Sequence, residues 1–255
     1  MSQYASYPSL KGRSVFITGG GSGIGASLVR QFIAQGSKVG FVDIALAPSR
    51  KLVDEIAAGG GPEPLFIECD LRDIAALRAA IAEVGAAHGP ITVLINNAAH
   101  DERHRLEEVT VEYWDDRMAV NLRHQFFAAQ AVWPMMKAAG GGSIVNFGSV
   151  SWMIGQGGMP GYTTAKSAVM GLTRALARDL GPDNIRVNSI APGWIMTERQ
   201  VSLWLDEEGE RELLRRQCLK RKLYPDEMAR IALFLAADDS SAMTNQTYVC
   251  DGGWV

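Results

Sequence analysis

The sequence SVFITGGGSGIG, residues 14–25, decides the fold that we expect for this chain. Residues 14–18 are a short apolar run typical of a buried strand, and a glycine-rich turn follows at once. Ile24, Leu28 and Phe32 then recur at helical spacing. Strand, glycine-rich turn and helix is the order in which dinucleotide-binding folds hold a diphosphate on the amides of a helix N-terminus. The stretch therefore predicts an α/β fold built around a parallel sheet.

Apolar runs further along the chain supply six more strands. They cover residues 38–43, 64–70, 91–95, 144–147, 185–191 and 247–250. Helical spacing predicts helices over residues 73–87, 112–139, 162–180 and 225–237, with Pro134 dividing the second of these late. No linker or composition shift interrupts the pattern. We expect a single-domain Rossmann fold over residues 1–255, a doubly wound seven-stranded parallel sheet with helices on both faces.

Composition narrows the class of protein. The 255 residues are 47% hydrophobic and 21% charged, which is ordinary for a globular protein. The net charge of -3 gives no electrostatic reason to expect nucleic acid or an anionic membrane as a partner. No apolar run is long enough to span a bilayer, and the N-terminus lacks the features of a signal peptide. The three cysteines, which have no metal-ligand spacing, are read as reduced thiols, and we expect a cytoplasmic protein.

Two carboxylates stand at the ends of predicted strands. Asp43 ends the second strand, where an acid accepts hydrogen bonds from the adenosine ribose and repels a 2'-phosphate. Ser22 and Ile44 are uncharged, so no basic side chain is evident to bind that phosphate, and the pattern favours NAD over NADP. Asp70 ends the third strand, where it can meet the adenine amino group.

A second group of polar residues can move protons. Tyr162 and Lys166 are one helical turn apart, and Ser149 follows the strand at 144–147. An ammonium about 4 Å from a phenol favours the phenolate by roughly 4 kcal/mol at an effective dielectric of 20, or about three pK units. This shift would bring a tyrosine into the working range of a general base.

Three other segments lead to further predictions. Residues 100–104 place two histidines at a metal-like spacing, but they follow a strand end, so we expect no metal and a polar loop near the substrate. Asn121 interrupts the apolar stripe of a long helix and needs a partner. Residues 194–223 are irregular, charged and aromatic, which is typical of a substrate lid.

Taken together, the motifs resemble the short-chain dehydrogenases/reductases of the classical type. They are Thr18 to Gly25, Asn96-Asn97-Ala98, Asn121, Ser149, Tyr162 with Lys166, and Pro192-Gly193, in that order. The resemblance implies that Tyr162 is the general acid/base and that Ser149 orients the reacting oxygen. It also implies that Lys166 binds the nicotinamide ribose and lowers the tyrosine pKa, and that Asn121 holds a water in a proton relay.

The same resemblance implies NAD as the cofactor and a set of residues that bind it. These are Gly19, Ser22, Gly23, Ile24, Asp43, Ile44, Asp70, Leu71, Asn97, Ala98, Tyr162, Lys166, Pro192, Gly193, Ile195 and Thr197, the last near the nicotinamide carboxamide. The chain departs from the family pattern at Ala99 and Asn245, where glycine is usual.

A closer likeness is to bacterial aldose 1-dehydrogenases, especially the D-xylose enzymes. It rests on residues 7–12, 101–109, 146–149 with Trp152, and 217–220. The likeness implies a sugar substrate whose C1 is oxidised to the lactone, and it makes His100, Ser149, Trp152, Tyr162 and Trp194 candidate substrate contacts. Residues 155–161 are glycine-rich and differ from the xylose enzymes, which leaves D-xylose, D-galactose and L-arabinose open.

Other functions remain open at this point. The fold could serve an NAD(P)-dependent reductase or dehydrogenase of another secondary alcohol or ketone, of the 3-oxoacyl or polyol type. A cofactor-binding protein without catalysis would be expected to lack Tyr162 or Lys166, and both are present. The resemblance also implies a homotetramer, with the helices at 112–139 and 161–180 packed between subunits.

Overall fold

Seven parallel strands form the centre of the fold in the computed structural model, which describes residues 4–255. The strands are β1 Ser14–Thr18, β2 Lys38–Asp43, β3 Leu65–Glu68, β4 Ile91–Asn96, β5 Gly142–Phe147, β6 Ile185–Pro192 and β7 Thr247–Cys250. Their order across the sheet is β3-β2-β1-β4-β5-β6-β7. The order reverses direction between β1 and β4, and ligands bind at this switch point in such sheets. The predicted seven-stranded, doubly wound sheet is confirmed.

Helices cover both faces of the sheet. They are α1 Gly23–Ala34, α2 Leu46–Ala58, α3 Ile74–His88, α4 Val111–Met118, α5 His124–Ala138, α6 Pro160–Leu180, α7 Glu198–Trp204, α8 Glu207–Arg216 and α9 Pro225–Ala236. One apolar core contains Phe32 of α1 and Leu233 of α9, and the other contains Leu77 of α3 and Val132 of α5. Because the central strands are packed on both faces, their sequences are mostly apolar rather than alternating, whereas the edge strands β3 and β7 are only partly buried.

Residues 111–138 are not divided where the sequence analysis placed the break. Pro134 lies on an exposed position inside α5, and the helical path changes instead at a π-helical turn, Ala119–Arg123. The cause is Asn121, whose Oδ1 accepts a hydrogen bond from the backbone amide of His100 at 2.8 Å. Its Nδ2 donates to the carbonyl of Arg117 at 3.0 Å. The turn therefore fixes the loop after β4, and π-turns are often found at functional sites.

Two helical regions were not predicted from the sequence. Helix α2 has a weak apolar pattern, with only Ser49, Leu52 and Ile56 buried. The segment expected to be irregular, residues 194–223, contains α7 and α8. Both begin at a side chain that caps the helix, Thr197 in α7 and Asp206 in α8. Helix α7 buries no side chain and α8 buries only Leu213, so neither helix contains the apolar run from which the other helices were predicted.

Candidate active site

A cleft of about 1290 Å³ opens at the carboxyl ends of the central strands. It is lined by every residue that the resemblance assigns to the cofactor, namely Gly19, Ser22, Gly23, Ile24, Asp43, Ile44, Asp70, Leu71, Asn97, Ala98, Tyr162, Lys166, Pro192, Gly193, Ile195 and Thr197. Ser149, His100 and Trp194 line the same space. The cleft is therefore large enough and suitably placed for a dinucleotide together with a small substrate.

The glycine-rich turn at one side of the cleft fits a diphosphate. A Cβ on Gly25 would lie 1.8 Å from the carbonyl oxygen of Gly19, so only glycine lets α1 start this close to the turn. The Ser22 side chain does not cap α1, which leaves the first amides of the helix free for an anion. Asn97 supports the turn, since its Nδ2 donates to the carbonyls of Thr18 at 3.1 Å and Gly19 at 2.8 Å.

Asp43 is held rigidly at the end of β2. Its Oδ2 accepts a hydrogen bond from the amide of Gly21 at 2.8 Å, and its Oδ1 accepts one from Ala45 at 2.9 Å. A Cβ on Gly21 would lie 2.2 Å from Ser49 Oγ and 3.0 Å from Asp43 Oδ2, so no larger side chain fits there. The Asp43 carboxylate is therefore fixed in place. A basic side chain at position 21 would not fit beside it.

An ion-pair network borders the adenine end of the cleft. Arg72, which the sequence analysis did not identify, lines the cleft and pairs with Asp70 at 2.6 Å and with Asp116 at 3.0 Å. The hydrogen bonds from Arg72 lower the pKa of Asp70. Asp70 therefore remains a carboxylate at neutral pH and can accept a hydrogen bond from an adenine amino group.

The predicted proton-handling residues come together at the other end of the cleft. Ser149 follows β5, while Tyr162 and Lys166 lie in the first two turns of α6. Ser149 lies close enough to Tyr162 to act on its phenol and lower its pKa. Lys166 is 2% exposed, and its Nζ donates to the carbonyl of Phe147 at 2.7 Å. The strand end and the helix thus place a hydroxyl, a phenol and an amine around one point.

The protonation of these groups differs from the sequence-based expectation. Burial lowers the pKa of Lys166 to about 7. Burial also raises the pKa of Tyr162, Ser149 opposes this rise, and the carboxylate of Asp101 adds to it. The expected lowering of the tyrosine pKa by Lys166 is wrong for the chain alone. The main cause is burial of the phenol, which outweighs the lysine whose Nζ lies 5.8 Å from the centre of the tyrosine ring.

Asn121 lies behind the wall of the cleft and does not line it. The residue is 0% exposed, and both polar atoms of its side chain bond to backbone groups of His100 and Arg117. The backbone carbonyl of Asn121 accepts a long hydrogen bond from the side chain of Gln125, at 3.4 Å. Since a carbonyl oxygen has two lone pairs, the backbone of Asn121, rather than its side chain, is the group that could hold a water.

Trp152 was expected to contact the substrate but does not line the cleft. Residues 150–155 form a tight turn, in which the amides of Met153 and Ile154 donate to the carbonyl of Val150 at 2.8 and 3.0 Å. This turn directs Val150, Ser151 and Ile154 to the cleft in place of Trp152. The sequence contains no periodic signal in this short segment from which the orientation could have been predicted.

Several other residues of the wall were not identified from the sequence. Asp101 and Gln200 bond to each other, with Gln200 Nε2 donating to Asp101 Oδ2 at 2.7 Å. Gln200 also accepts a hydrogen bond from Trp194 Nε1 at 3.0 Å. Gln156 and Trp254 complete this part of the wall. These residues lie in loops or in a short helix that are far apart in the chain, so no local motif unites them.

The two departures from the family pattern have different consequences. Asn245 adopts a φ of +65°, a left-handed conformation that asparagine tolerates better than other residues with a side chain. Its amide still donates to the carbonyl of Val187 at 2.8 Å, so the turn before β7 is preserved. Ala99 lines the cleft and is exposed there, so its methyl group narrows the space that a glycine would leave.

The two histidines of the loop after β4 bond to protein groups. His100 Nδ1 lies 3.0 Å from Arg117 Nη1, and His104 Nδ1 lies 2.9 Å from the hydroxyl of Tyr113. Burial lowers the pKa of His100, and the cations Arg199 and Arg117 lower it further. From residue 4 to residue 255, no group of three or more His, Cys, Asp or Glu side chains could hold a metal ion. The same part of the chain has no helix long and apolar enough to cross a membrane.

Comparison with known proteins identifies the family. The family model described as enoyl-(acyl carrier protein) reductase matches residues 19–255. A Rhizobium meliloti protein named "probable galactose dehydrogenase" is 53% identical over 97% of this chain and 96% of its own length. A D-xylose 1-dehydrogenase of Caulobacter vibrioides is 50% identical over 98% of both chains.

The fold has close matches among solved structures. A short-chain dehydrogenase/reductase from Serratia marcescens superimposes with a TM-score of 0.89 and is 31% identical, covering 96% of this chain and 99% of that one. The match spans the cleft, the sheet and both helical layers, because it includes nearly every residue of each chain. This chain belongs to the short-chain dehydrogenase/reductase family.

Proposed function

We propose that this protein is an NAD-dependent aldose 1-dehydrogenase, which oxidises the anomeric carbon of an aldopyranose to the lactone. The observation that carries the proposal is the meeting of Ser149, Tyr162 and Lys166 at the end of a cleft with room for a dinucleotide and a sugar. Two relatives of half or more identity are named for galactose and D-xylose oxidation, and this supports a sugar as the substrate.

The proposed chemistry assigns one task to each residue. NAD, when bound, accepts the hydride from C1 of the sugar. Tyr162 takes the proton from the C1 hydroxyl. Ser149 donates a hydrogen bond to the same oxygen and stabilises the negative charge that develops on it. Lys166 lies one turn from Tyr162 on the inner side of α6, where its amine can pass on the proton that the tyrosine receives.

The wall opposite these residues suits a sugar. Sugars offer hydroxyl groups at their edges and apolar C–H groups on their faces. Asp101, Gln156 and Gln200 supply carboxylate and amide groups, while Trp194 and Trp254 supply flat apolar surfaces. Residues 194–223, which include α7 and α8, form a lid on this side of the cleft in the proposed enzyme.

The test of the substrate class is NADH formation at 340 nm against D-galactose, D-xylose, L-arabinose and a set of secondary alcohols and hydroxyacyl esters. We expect turnover on one of the aldoses at least tenfold faster than on any alcohol that is not a sugar. Activity restricted to a hydroxyacyl ester or a simple secondary alcohol would contradict the sugar proposal and leave the catalytic residues in place. The lactone product is checked by its hydrolysis to the aldonic acid.

The preference for NAD over NADP is proposed from Asp43. The carboxylate is fixed by the amides of Gly21 and Ala45, so it cannot swing away from a 2'-phosphate. We expect Asp43→Ala to lower the ratio of kcat/KM with NAD to kcat/KM with NADP by tenfold or more, because the repulsion between the carboxylate and the 2'-phosphate is removed. An unchanged ratio would show that another residue sets the preference. Asp54→Ala, which removes an exposed carboxylate from α2, is the matched control.

We also propose that the active form is a homotetramer. Helix α5 carries Phe126 and Trp133 with 41% and 39% of their surfaces exposed. Helix α6 presents Gly171 and Ala175, whose small side chains allow a second helix to approach closely. Large exposed aromatics and exposed small residues are both typical of helix surfaces that pack in oligomers.

A further inference from the structure

His100 lines the cleft in an orientation that α4 and the π-helical turn after it control. The residue follows β4, and 43% of its side chain is exposed. Its backbone amide donates to Asn121 Oδ1 at 2.8 Å, and its ring nitrogen Nδ1 lies 3.0 Å from Arg117 Nη1. The main chain and the ring of His100 are therefore both bonded to residues of this one helical segment.

Arg117 is itself fixed in place. The residue is 8% exposed, and its guanidinium donates to the carboxylates of Asp116, at 3.2 Å, and Glu102, at 2.8 Å. Its stem packs on the first turn of α6, since a Cβ on Gly161 would lie 3.2 Å from the Cβ of Arg117. Gly161 directly precedes Tyr162. The guanidinium is therefore held at a defined position relative to the turn that carries the proposed base.

The contact between Arg117 and His100 decides which ring nitrogen carries the proton. A guanidinium has five N–H donors and no acceptor, and it is charged at neutral pH. Nδ1 of His100 can therefore bond to it only as an unprotonated acceptor. In a neutral imidazole the proton is then on Nε2. The carboxylate of Glu102 lies 3.5 Å from Nδ1, which is too far for the hydrogen bond that would favour the other tautomer.

The charges around His100 keep its ring neutral. Burial lowers the pKa of the imidazole, and the cations Arg199 and Arg117 lower it further, while Glu102 and Asp101 oppose this change. These four charged groups come from α7, α4 and the loop that carries the histidine. Because the net effect is a pKa below the ordinary 6.5, the ring is uncharged at neutral pH and has one N–H group rather than two.

The Nε2–H group of His100 is the polar group that the ring offers to a ligand. Within residues 4–255 the ring bonds to the protein through Nδ1 alone. The same cleft contains Ser149 and Tyr162, which bind the oxygen that is oxidised in the proposed enzyme. A substrate that displaces water from Nε2 must supply another acceptor, because a donor left without a partner costs affinity. A second hydroxyl supplies this acceptor, whereas an alcohol with one oxygen does not.

We propose that Arg117 fixes His100 as the tautomer protonated on Nε2, and that this N–H group donates a hydrogen bond to a substrate hydroxyl other than the one that is oxidised. His100 is thus a binding residue that selects polyhydroxylated substrates over simple alcohols. Arg117 is a positioning residue that acts through it. The contact with the substrate rests on the proposed function, whereas the tautomer of His100 is a property of the free protein.

The tautomer is tested first, in the full-length protein without substrate. Solid-state NMR of protein labelled with 13C,15N-histidine separates protonated from unprotonated ring nitrogens, and the bonded carbons distinguish Nδ1 from Nε2. The signals of His100 are assigned by their loss in His100→Gln. We expect a neutral ring with its proton on Nε2 near neutral pH, and a mixture of tautomers in Arg117→Met. Arg117→Lys, which keeps a cationic donor, should retain more of the Nε2 form. Arg30→Met, which removes an exposed ion pair with Glu55, is the control and should leave the signals unchanged.

The contact with the substrate is tested with the preferred substrate and a set of analogues, each lacking one hydroxyl that does not react. We expect the wild type to lose about three- to tenfold in kcat/KM on one analogue, mainly through KM, which is the effect of one neutral hydrogen bond. His100→Leu should show this loss on the parent substrate and no further loss on that analogue, because the two groups removed are partners. His100→Gln, which keeps an N–H donor, should recover part of the affinity. His88→Leu, at the end of α3 and outside the cleft, is the control.

Four outcomes would overturn the proposal. They are a wild-type ring with its proton on Nδ1 or on both nitrogens, an Arg117→Met spectrum identical to that of the wild type, equal kcat/KM of the wild type on every analogue, and unchanged discrimination in His100→Leu. Melting curves identify variants that do not fold, and if Arg117→Met is one of them, the wild type and Arg117→Lys decide. If the alcohol oxidised is not a sugar, its own analogues are used and the spectra are unaffected, so failure of the substrate proposal is distinguishable from failure of this one. A preferred substrate with a single oxygen would overturn the contact.

Discussion

Tyr162 is the residue on which the proposed reaction depends, and its environment sets the pH at which it can act. Burial raises its pKa, so in the chain alone the phenol is protonated at neutral pH. The positive charge that NAD brings when bound favours the phenolate. We therefore expect kcat/KM for oxidation to rise with pH through neutrality, because deprotonation creates the active base. A flat profile between pH 6 and pH 9 would contradict this assignment.

Removing the phenol tests the role directly. We expect Tyr162→Phe to lower kcat by at least about a thousandfold, within the range known for loss of a general base, while the packing of the ring is retained. The affinity for NADH, measured by fluorescence titration, should remain within a few-fold of wild type. Tyr113→Phe, which removes a hydroxyl bonded to His104 outside the cleft, is the control and should keep most of the activity. Appreciable turnover by Tyr162→Phe would remove the tyrosine from the base role.

At the residue scale the sequence predicts the positions of the proposed catalytic groups better than it predicts their pKa values. Ser149, Tyr162 and Lys166 meet as expected because a strand end and the first turns of the next helix have a fixed relation. Their pKa values depend on burial, which no spacing reveals. Trp152 fails for a related reason, since a single turn decides whether it or Ile154 faces the cleft. The complete burial of His124, the first residue of α5, gave no signal at all, because a polar residue inside a helix pattern is ordinarily taken as exposed.

At the element scale, helix α7 of the proposed lid is bonded to the loop after β4. Arg199 Nε lies 3.2 Å from Asp101 Oδ1, and Gln200 Nε2 lies 2.7 Å from Asp101 Oδ2. The guanidinium of Arg103 lies over the ring of Trp204 at 4.0 Å. These contacts join two segments that are distant in the chain across the entrance of the cleft. Helix α7 buries none of its side chains, so we expect this part of the proposed lid to open and close.

Breaking the contact between Gln200 and Asp101 should therefore reduce the affinity for the substrate more than the rate of the chemical step. We expect Gln200→Ala to raise KM for the sugar about five- to thirtyfold, since a hydrogen bond to a charged group contributes roughly 1.5 kcal/mol or somewhat more. The value of kcat should fall less than threefold. Arg211→Ala removes an exposed ion pair with Glu207 on α8 and serves as the control. A fall in kcat with an unchanged KM would show that α7 does not act as a lid.

The elements that could be predicted are those with a strong apolar pattern. All seven strands and the helices α1, α3, α6 and α9 follow from runs or stripes that the packed sheet requires. Helices α2, α7 and α8 bury few side chains and contain few large apolar residues, so no long apolar stripe marks them in the sequence. At the division between α4 and α5, Asn121 bonds to the backbone amide of His100, which is 21 residues away in the chain, and this contact cannot be derived from local spacing.

At the scale of the whole molecule, two buried bases make stability depend on pH. The folded-state pKa of His124 is about 3, below its ordinary 6.5, so under pH 6.5 the unfolded chain takes up a proton that the folded chain does not. The stability present above pH 6.5 is lost as the pH falls toward 3, by about 1 kcal/mol for each pH unit. The folded-state pKa of Lys166, about 7, also lies below its ordinary value of 10.5. The protein therefore gains stability as the pH rises from 7 to 10.5.

A variant without an ionisable group at position 124 isolates the contribution of His124 to the pH dependence of stability. We expect His124→Gln to lose less stability than the wild type between pH 6.5 and pH 4.5, with the difference growing to about 2 kcal/mol. Urea unfolding at several pH values gives the two free energies of unfolding. His88→Gln, a change at a partly buried surface histidine, should show a smaller effect. Parallel curves for the wild type and His124→Gln would mean that His124 is protonated in the folded protein.

The proposed assembly of four chains follows from apolar surfaces that a single chain leaves exposed to water. Phe126 and Trp133 expose large aromatic surfaces on α5, which is costly in water unless another chain covers them. We expect the wild type to have a mass of about 110 kDa by light scattering, that of four 27.6 kDa chains. Phe126→Glu should reduce this mass to that of a dimer or monomer, because a charge would be buried in the interface. Val201→Glu, on the exposed lid helix, should leave the mass unchanged. A wild-type chain of 27.6 kDa in solution would refute the tetramer and assign these aromatics to another partner.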